Sequence, residues 1–337
     1  MRIDNILMKG MNFIMKKKGI IYAVSLGHFP DHITPEAQRV LSSIDVVAGH
    51  PGFIEMAKKY LNENIEVIDN TVTRKYAQDF EMAQQNRVAA CVCQALKGKK
   101  VAILSGGDTG IWGEAGFFVE AHKKHDGLFE LRIIPGVSGM VASAARVGAP
   151  LMNGFALISL GDEDTPFSVV EQRLKGAALG GFVIVLYKVI VESYDSPEFY
   201  PAEKYPELSP PDKCTKERLN KSYKILSEHI SPDTPMAIII NTYDQTSYHH
   251  VGDNMLGSDD RKEKVILTEF RNFVKYSGEY RYLTTIIIGD NTTVVFDKYM
   301  YTPQWNYHWT YCPIMLEKVS NLPYLTSLKD FRKNEQT

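Results

Sequence analysis

The sequence predicts an α/β fold with a mostly parallel sheet and helices on both faces. Three observations carry that expectation. Short apolar runs, such as IIYAVSL at 20–26 and VAIL at 101–104, alternate with helix-like stretches. Thr34-Pro35-Glu36 is a helix start, with a hydroxyl cap followed by proline at the first helical position, where its missing N–H costs nothing. The apolar runs ending at Leu104 and Ile134 each lead through a glycine-bearing turn into a helical pattern. Strand, turn and helix repeated in this order require crossover connections, and hence parallel strands with covering helices.

Taken in order, residues 20–26 read as the first strand, bounded by Gly27. Short strands follow at 46–48 and 65–68, a helix at 79–96 and the central strand at 99–104. A second unit is placed from about residue 131, with strands at 156–160, 182–186, 236–240 and 283–288 and helices at 166–175 and 216–229. The pattern leaves open whether these later strands pair parallel or antiparallel. The predicted organisation is a flexible extension over 1–18, an α/β domain over 19–130, a second over 131–305 and a tail over 306–337. Two segments interrupt the second domain, near 189–215 and 243–264. The first of them carries five prolines and three tyrosines between 193 and 213, too many prolines for an internal strand or helix.

Composition narrows the function. The 337 residues are 44% hydrophobic and 23% charged, ordinary for a soluble protein with ample core. A net charge of −2 gives no support for a nucleic-acid-binding face. The cysteines at 91, 93, 214 and 312 show no paired zinc spacing, so no metal is expected and a reduced, cytoplasmic protein fits. The first residues carry four methionines but no signal-peptide apolar run, and no stretch is long enough to span a membrane.

The chemistry concentrates in GGDTGIWG at 106–113 and PGVSG at 135–139. Glycine at four of eight positions in the first is more than a tight turn needs, and it lets the backbone approach a ligand. It is not the dinucleotide GxGxxG fingerprint. Asp108 stands at the mouth of this turn, as a ligand contact or a helix N-cap, and Ser138 is placed to cap the next helix. Two such turns close in sequence can form one wall of a nucleotide-like pocket.

These motifs resemble the tetrapyrrole methylases, S-adenosylmethionine-dependent enzymes whose turns read GD-P-G-(I/V)-Y-G and P-G-(V/I)-(T/S). The resemblance covers roughly residues 19–305. It narrows to the precorrin-3B C(17)-methyltransferase branch through AARVGAP at 144–150, FALISL at 155–160, FVIVLY at 182–187, SPDTPMAIIIN at 231–241 and LTTIIIGDNTTVVFDKYMYTP at 283–303. It implies two α/β domains with the cofactor in the cleft between them. The implied reaction is methyl transfer to a corrin precursor, precorrin-3B or its cobalt form, at C(17) with ring contraction. The implied assembly is a homodimer acting on a small tetrapyrrole, with neither nucleic acid nor membrane as partner. A sibling methylase with another acceptor, and a non-catalytic binding protein on the same fold, are the alternatives.

Carried over position by position, the resemblance assigns cofactor contacts to Gly106, Gly107, Asp108, Thr109, Ile111, Ser138, Gly139, Tyr187, Lys188, Asn241 and Thr242. Lys188-Val189 replaces the Asn-Pro usual in this branch. The first loop departs most: G-x-G-P-G-D becomes SLGHFPDHIT at 25–34, with His28 in the place of proline and Asp31 near the usual acid. A histidine of ordinary pKa exchanges protons near neutrality, so His28, Asp31 and Asp108 are the acid–base candidates. Among Arg74, Lys75, Arg132, Arg146 and Arg173, which can meet substrate carboxylates, Arg146 in AARVGAP is the preferred substrate contact. His249-His250 read as exposed.

Overall fold

The computed structural model describes residues 18–68, 80–161, 165–189, 216–242, 262–280 and 283–303. The N-terminal extension, most of both interrupting segments, the aromatic tail, Arg74, Lys75 and His249-His250 lie outside the described residues.

The first sheet is wholly parallel. Its strands are β1 (Ile20–Ser25), β2 (Val46–Gly49), β3 (Glu66–Ile68), β4 (Lys100–Ser105) and β5 (Glu130–Ile134), in the order β3-β2-β4-β1-β5. Alternate residues of one strand serve opposite faces. Ile21, Ala23, Val101 and Ile103 pack with Cys91, Val92 and Ala95 of α3 (Phe80–Leu96) and with Phe118 of α4 (Ala115–Lys124). Val24, Ala102 and Leu104 pack on the other side with Ala37 and Leu41 of α1 (Pro35–Leu41) and Met56 of α2 (Pro51–Ala57). Covering both faces is why these strands read as unbroken apolar runs. Thr34 caps α1 as expected, its Oγ1 accepting from Ala37 N–H at 3.2 Å.

Strand β5 forms the edge of this sheet beside β1, with Ile20 opposite Glu130 and Val24 opposite Ile134. The segment that the sequence places at the opening of the second unit thus completes the first sheet, because a β/α crossover returns it beside β1.

The second sheet is mixed: β7 (Phe155–Ser159), β8 (Val183–Tyr187), β9 (Pro235–Ile240), β10 (Lys264–Glu269) and β11 (Thr285–Ile288), in the order β10-β9-β11-β8-β7. Only β7 and β8 run parallel; β11 is antiparallel to both β8 and β9, and β10 to β9. This settles the pairing that the pattern left open and adds β10, a strand absent from the sequence-based expectation. Ile184, Leu186, Ile238 and Ile286 face α6 (Phe167–Leu179) and α7 (Lys216–Ser227). Val183, Val185, Ala237 and Ile239 face Met140, Ala144 and Val147 of α5 (Gly139–Val147).

Helix α5 therefore follows a strand of the first sheet yet covers the second. It is the structural link between the two. A small sheet of β12 (Val294–Phe296), β13 (Tyr299–Tyr301) and β6 (Gly148–Ala149) closes the described chain. The described residues up to Thr302 belong to one compact unit. Among the described residues, no helix is long and apolar enough to cross a membrane.

Candidate functional site

The site begins at the carboxyl ends of β1, β4 and β5, where parallel strands release their loops on one edge. Gly27 and Gly107, both at positive φ (69° and 63°), exchange two backbone hydrogen bonds of 3.0 and 2.9 Å, so the first loop is tied to the glycine turn. The Thr109 amide donates to Ser25 Oγ at 2.9 Å, and the Ser105 and Thr109 hydroxyls lie 3.2 Å apart, all buried. Asp108 accepts from Gly110 N–H through Oδ1 (2.8 Å) and from Gly136 N–H through Oδ2 (2.9 Å).

Those contacts correct one expectation. Asp108 does not cap a helix: α4 starts at Ala115, with Glu114 at its N-cap. The carboxylate instead closes its own turn and holds the next one. Gly136 is obligatory in that arrangement, since a Cβ there would lie 2.5 Å from Ser25 Cβ and 2.7 Å from the Gly107 carbonyl oxygen. Glu114 has its own partner, Arg87 of α3. Burial pushes the Glu114 carboxyl up and Arg87 pulls it back. The pair anchors the far side of the turn, leaving Ile111 and Trp112 partly exposed on it.

A second group gathers at the start of α5. Ser138 caps it, accepting from Val141 N–H at 3.4 Å. A Cβ on Gly139 would lie 2.8 Å from His28 Nε2 and 3.1 Å from Tyr187 Oη, and one on Gly107 would lie 3.4 Å from the same imidazole nitrogen. The fold thus brings Gly107, Gly139, His28 and Tyr187 around one point. Tyr187 Oη sits near Ser138 and the Met140 amide without meeting hydrogen-bond geometry, and burial pushes its phenol up. Burial, with a smaller contribution from His32, lowers the His28 pKa to about 4. The expectation of an imidazole titrating near neutrality is therefore corrected: His28 is neutral at physiological pH.

The remaining residues lie along the ends of β8 and β9. Lys188 and Asn241 both have positive φ, 48° and 51°, a costly conformation for residues with a Cβ. Thr242 Oγ1 lies 3.0 Å from Ser143 Oγ on α5, in a buried contact. Arg146, one turn further along α5, pairs through Nε with Glu263 at 2.8 Å. Asp31 is exposed on the 3-10 turn Pro30–His32, where it interacts with His32 and Lys59. Arg132 sits on the edge strand beside Glu130. Among the described residues, no group of three or more metal-ligating side chains occurs.

Sequence reasoning placed Gly136 within the second turn without its bond to Asp108, and missed Ser25, Ser143, His32 and Glu263 as parts of this arrangement. The Pro-Gly dipeptide was a signal for Gly136. No local pattern marks the others, whose partners are distant in sequence.

Residues 21–242 match the family model described as Tetrapyrrole (Corrin/Porphyrin) Methylases. The cobalt-factor III methyltransferase of Priestia megaterium is 28% identical over 295 residues, 86% of this chain but 45% of that protein, so the chain spans about half of that relative's length. The probable cobalt-factor III C(17)-methyltransferase of Salmonella typhimurium is 27% identical over 81% of this chain and 92% of its own length. The crystal structure of the methyltransferase CobJ superposes with a TM-score of 0.61 at 22% identity, over 85% of this chain and all (100%) of that one. With the family model matching well over half of its residues, the chain belongs to the tetrapyrrole (corrin/porphyrin) methylases.

Proposed function

We propose that this protein transfers a methyl group from S-adenosylmethionine to C(17) of a corrin precursor, precorrin-3B or a cobalt-factor III type macrocycle, with ring contraction, in cobalamin biosynthesis. The observation that carries the reading is the knot of Asp108, Gly136, Gly27 and Gly107, which fixes three strand-end turns as one backbone-lined wall. The names of the relatives support the choice of acceptor.

The residues present fit the donor. Gly106, Gly107, Thr109 and Ile111 offer the turn after β4, and Ser138 and Gly139 the start of α5. Tyr187, Lys188, Asn241 and Thr242 supply the facing strand ends. When bound, S-adenosylmethionine supplies an activated methyl on a sulfonium. The protein's task is then alignment of the donor with an electron-rich carbon, which a glycine-lined wall does without a nucleophile. A neutral His28 places no cation beside a sulfonium. Asp108 acts by positioning, since both its oxygens already hold backbone amides.

We read each sheet with its helices as one domain, the protein as cytoplasmic and the assembly as a homodimer; sedimentation equilibrium tests the last. The test of the activity is incubation with methyl-labelled S-adenosylmethionine and a cobalt-factor III acceptor. Label recovered in the macrocycle supports the reading. Absence of calorimetric binding of S-adenosylhomocysteine would sink it.

A further inference from the structure

Strands β7 and β8 run side by side in parallel to their carboxyl ends. There Ser159 stands opposite Tyr187, and the Leu160 amide donates to the Tyr187 carbonyl at 2.9 Å. Ile158 and Leu160 pack toward α6 and α7, whereas Leu157 and Tyr187 belong to the cluster beneath α5. Alternation along the strand therefore turns Ser159 to the α5 face, beside Tyr187. Ser159 is only 1% exposed, yet among the described residues its Oγ meets no hydrogen-bond partner, and neither does Tyr187 Oη. The tyrosine reaches the first turn of α5, since a Cβ on Gly139 would lie 3.1 Å from its Oη and 2.8 Å from His28 Nε2. Just past it, Lys188 at φ 48° takes the chain out of the strand. Two shielded hydroxyls thus stand next to each other at the strand ends that meet the glycine turns.

We propose that Ser159 and Tyr187 form a paired hydroxyl subsite for the uncharged nucleoside half of the methyl donor, with Ser159 a contact additional to the glycine turns. This rests on the methyltransferase reading. A buried hydroxyl in a folded protein finds a partner as a rule, and one kept without it is costly. Two of them in register on one face offer donors and acceptors together, which suits a ligand that carries both, as the base and ribose edges of a nucleoside do. The polar groups acting on Tyr187 Oη, Ser138 and the Met140 amide, are neutral. An ionised carboxylate buried between these hydroxyls would lack a countercharge. Neither the donor's amino-acid end nor a carboxylate of the macrocycle is therefore the match.

Ser159→Ala separates this role from a structural one, because it deletes a hydroxyl that holds nothing within the protein. The ligand-free variant is expected to melt at the wild-type temperature or above. Its Kd for S-adenosylhomocysteine, read by calorimetry, rises about three- to tenfold, the loss expected for one neutral hydrogen bond. Binding of 5′-methylthioadenosine, which keeps the nucleoside but lacks the amino-acid end, weakens by the same factor. Tyr187→Phe keeps the ring and weakens both ligands likewise. A lower melting temperature for Ser159→Ala, or its failure to fold, marks the hydroxyl as structural and overturns the proposal. So does weakening confined to S-adenosylhomocysteine, which puts the contact at the amino-acid end. Absence of methylthioadenosine binding to wild type, or wild-type affinities in Tyr187→Phe, overturns it as well. Failure of S-adenosylhomocysteine to bind wild type overturns the methyltransferase reading, whereas undiminished binding to Ser159→Ala overturns only the subsite.

Discussion

Asp108 Oδ2 accepts the Gly136 amide at 2.9 Å, across 28 positions of sequence, and so joins the turn after β4 to the turn after β5. Its other oxygen holds Gly110. Replacing Asp108 with Asn keeps the shape but turns an amide nitrogen toward one of two backbone donors. Hydrogen bonds to a charged group contribute about 1.5–3 kcal/mol. With the site part-exposed, Asp108→Asn is expected to lose about 1–2 kcal/mol of stability by denaturant unfolding. Its affinity for S-adenosylhomocysteine falls about tenfold or more by calorimetry.

The two glycines of the second turn behave differently when substituted. At Gly136 an added Cβ meets a backbone oxygen and a tightly held Cβ, which cannot yield, so Gly136→Ala destabilises the fold. At Gly139 it meets the tips of His28 and Tyr187, which can rotate away. Gly139→Ala is expected to keep its melting temperature within a few degrees but lose cofactor affinity. Adding His28→Ala to Gly139→Ala recovers part of that loss. Equal destabilisation by the two glycine substitutions would contradict this account.

The His28 environment sets a pH dependence of stability. Its folded pKa of about 4 lies below the ordinary value of 6.5, so the unfolded chain binds the proton first as pH falls. Stability is therefore complete above about pH 6.5 and declines toward pH 4. His28→Gln is expected to flatten that part of the profile, measured by urea unfolding at stepped pH. A profile of unchanged slope would show that the imidazole is not held neutral.

Arg87 and Glu114 form a largely buried pair beneath the glycine turn, with side chains 17% and 25% exposed. Removing one partner strands the other charge, at a cost of about 3 kcal/mol. Glu114→Ala is expected to lower the melting temperature accordingly, while the double replacement Arg87→Met with Glu114→Leu restores much of it. The neighbouring Cys91 thiol, pushed up to about 12 by burial, stays unreactive toward thiol reagents in the native protein.

Much of the fold was legible from local pattern. The strand of 20–26, the Thr34 cap, the helix of 79–96 and the two glycine turns each rest on residues adjacent in sequence, where periodicity and capping act directly. Strand β10 is harder to read because it follows a polar segment. Order along the chain places β5 with the second unit, because order does not say which strand it joins. Of the site, the glycine turns and Ser138 were legible through motifs. The knot that gives Asp108 its position was not, because Gly136 reaches Asp108, and Ser25 the adjacent Thr109, only after the strands have paired.

By itself, the sequence determined the alternation of strands and helices, the family and the places where the backbone turns sharply, all of which follow from short-range residue patterns. Only the tertiary structure decided the antiparallel half of the second sheet, the neutral state of His28 and the pairing of Arg146 with Glu263. The physical reason is common to all three. Strand partners, burial and ion pairing depend on groups far apart in the chain, and these acquire their environment only when the strands have paired and the helices have packed over them.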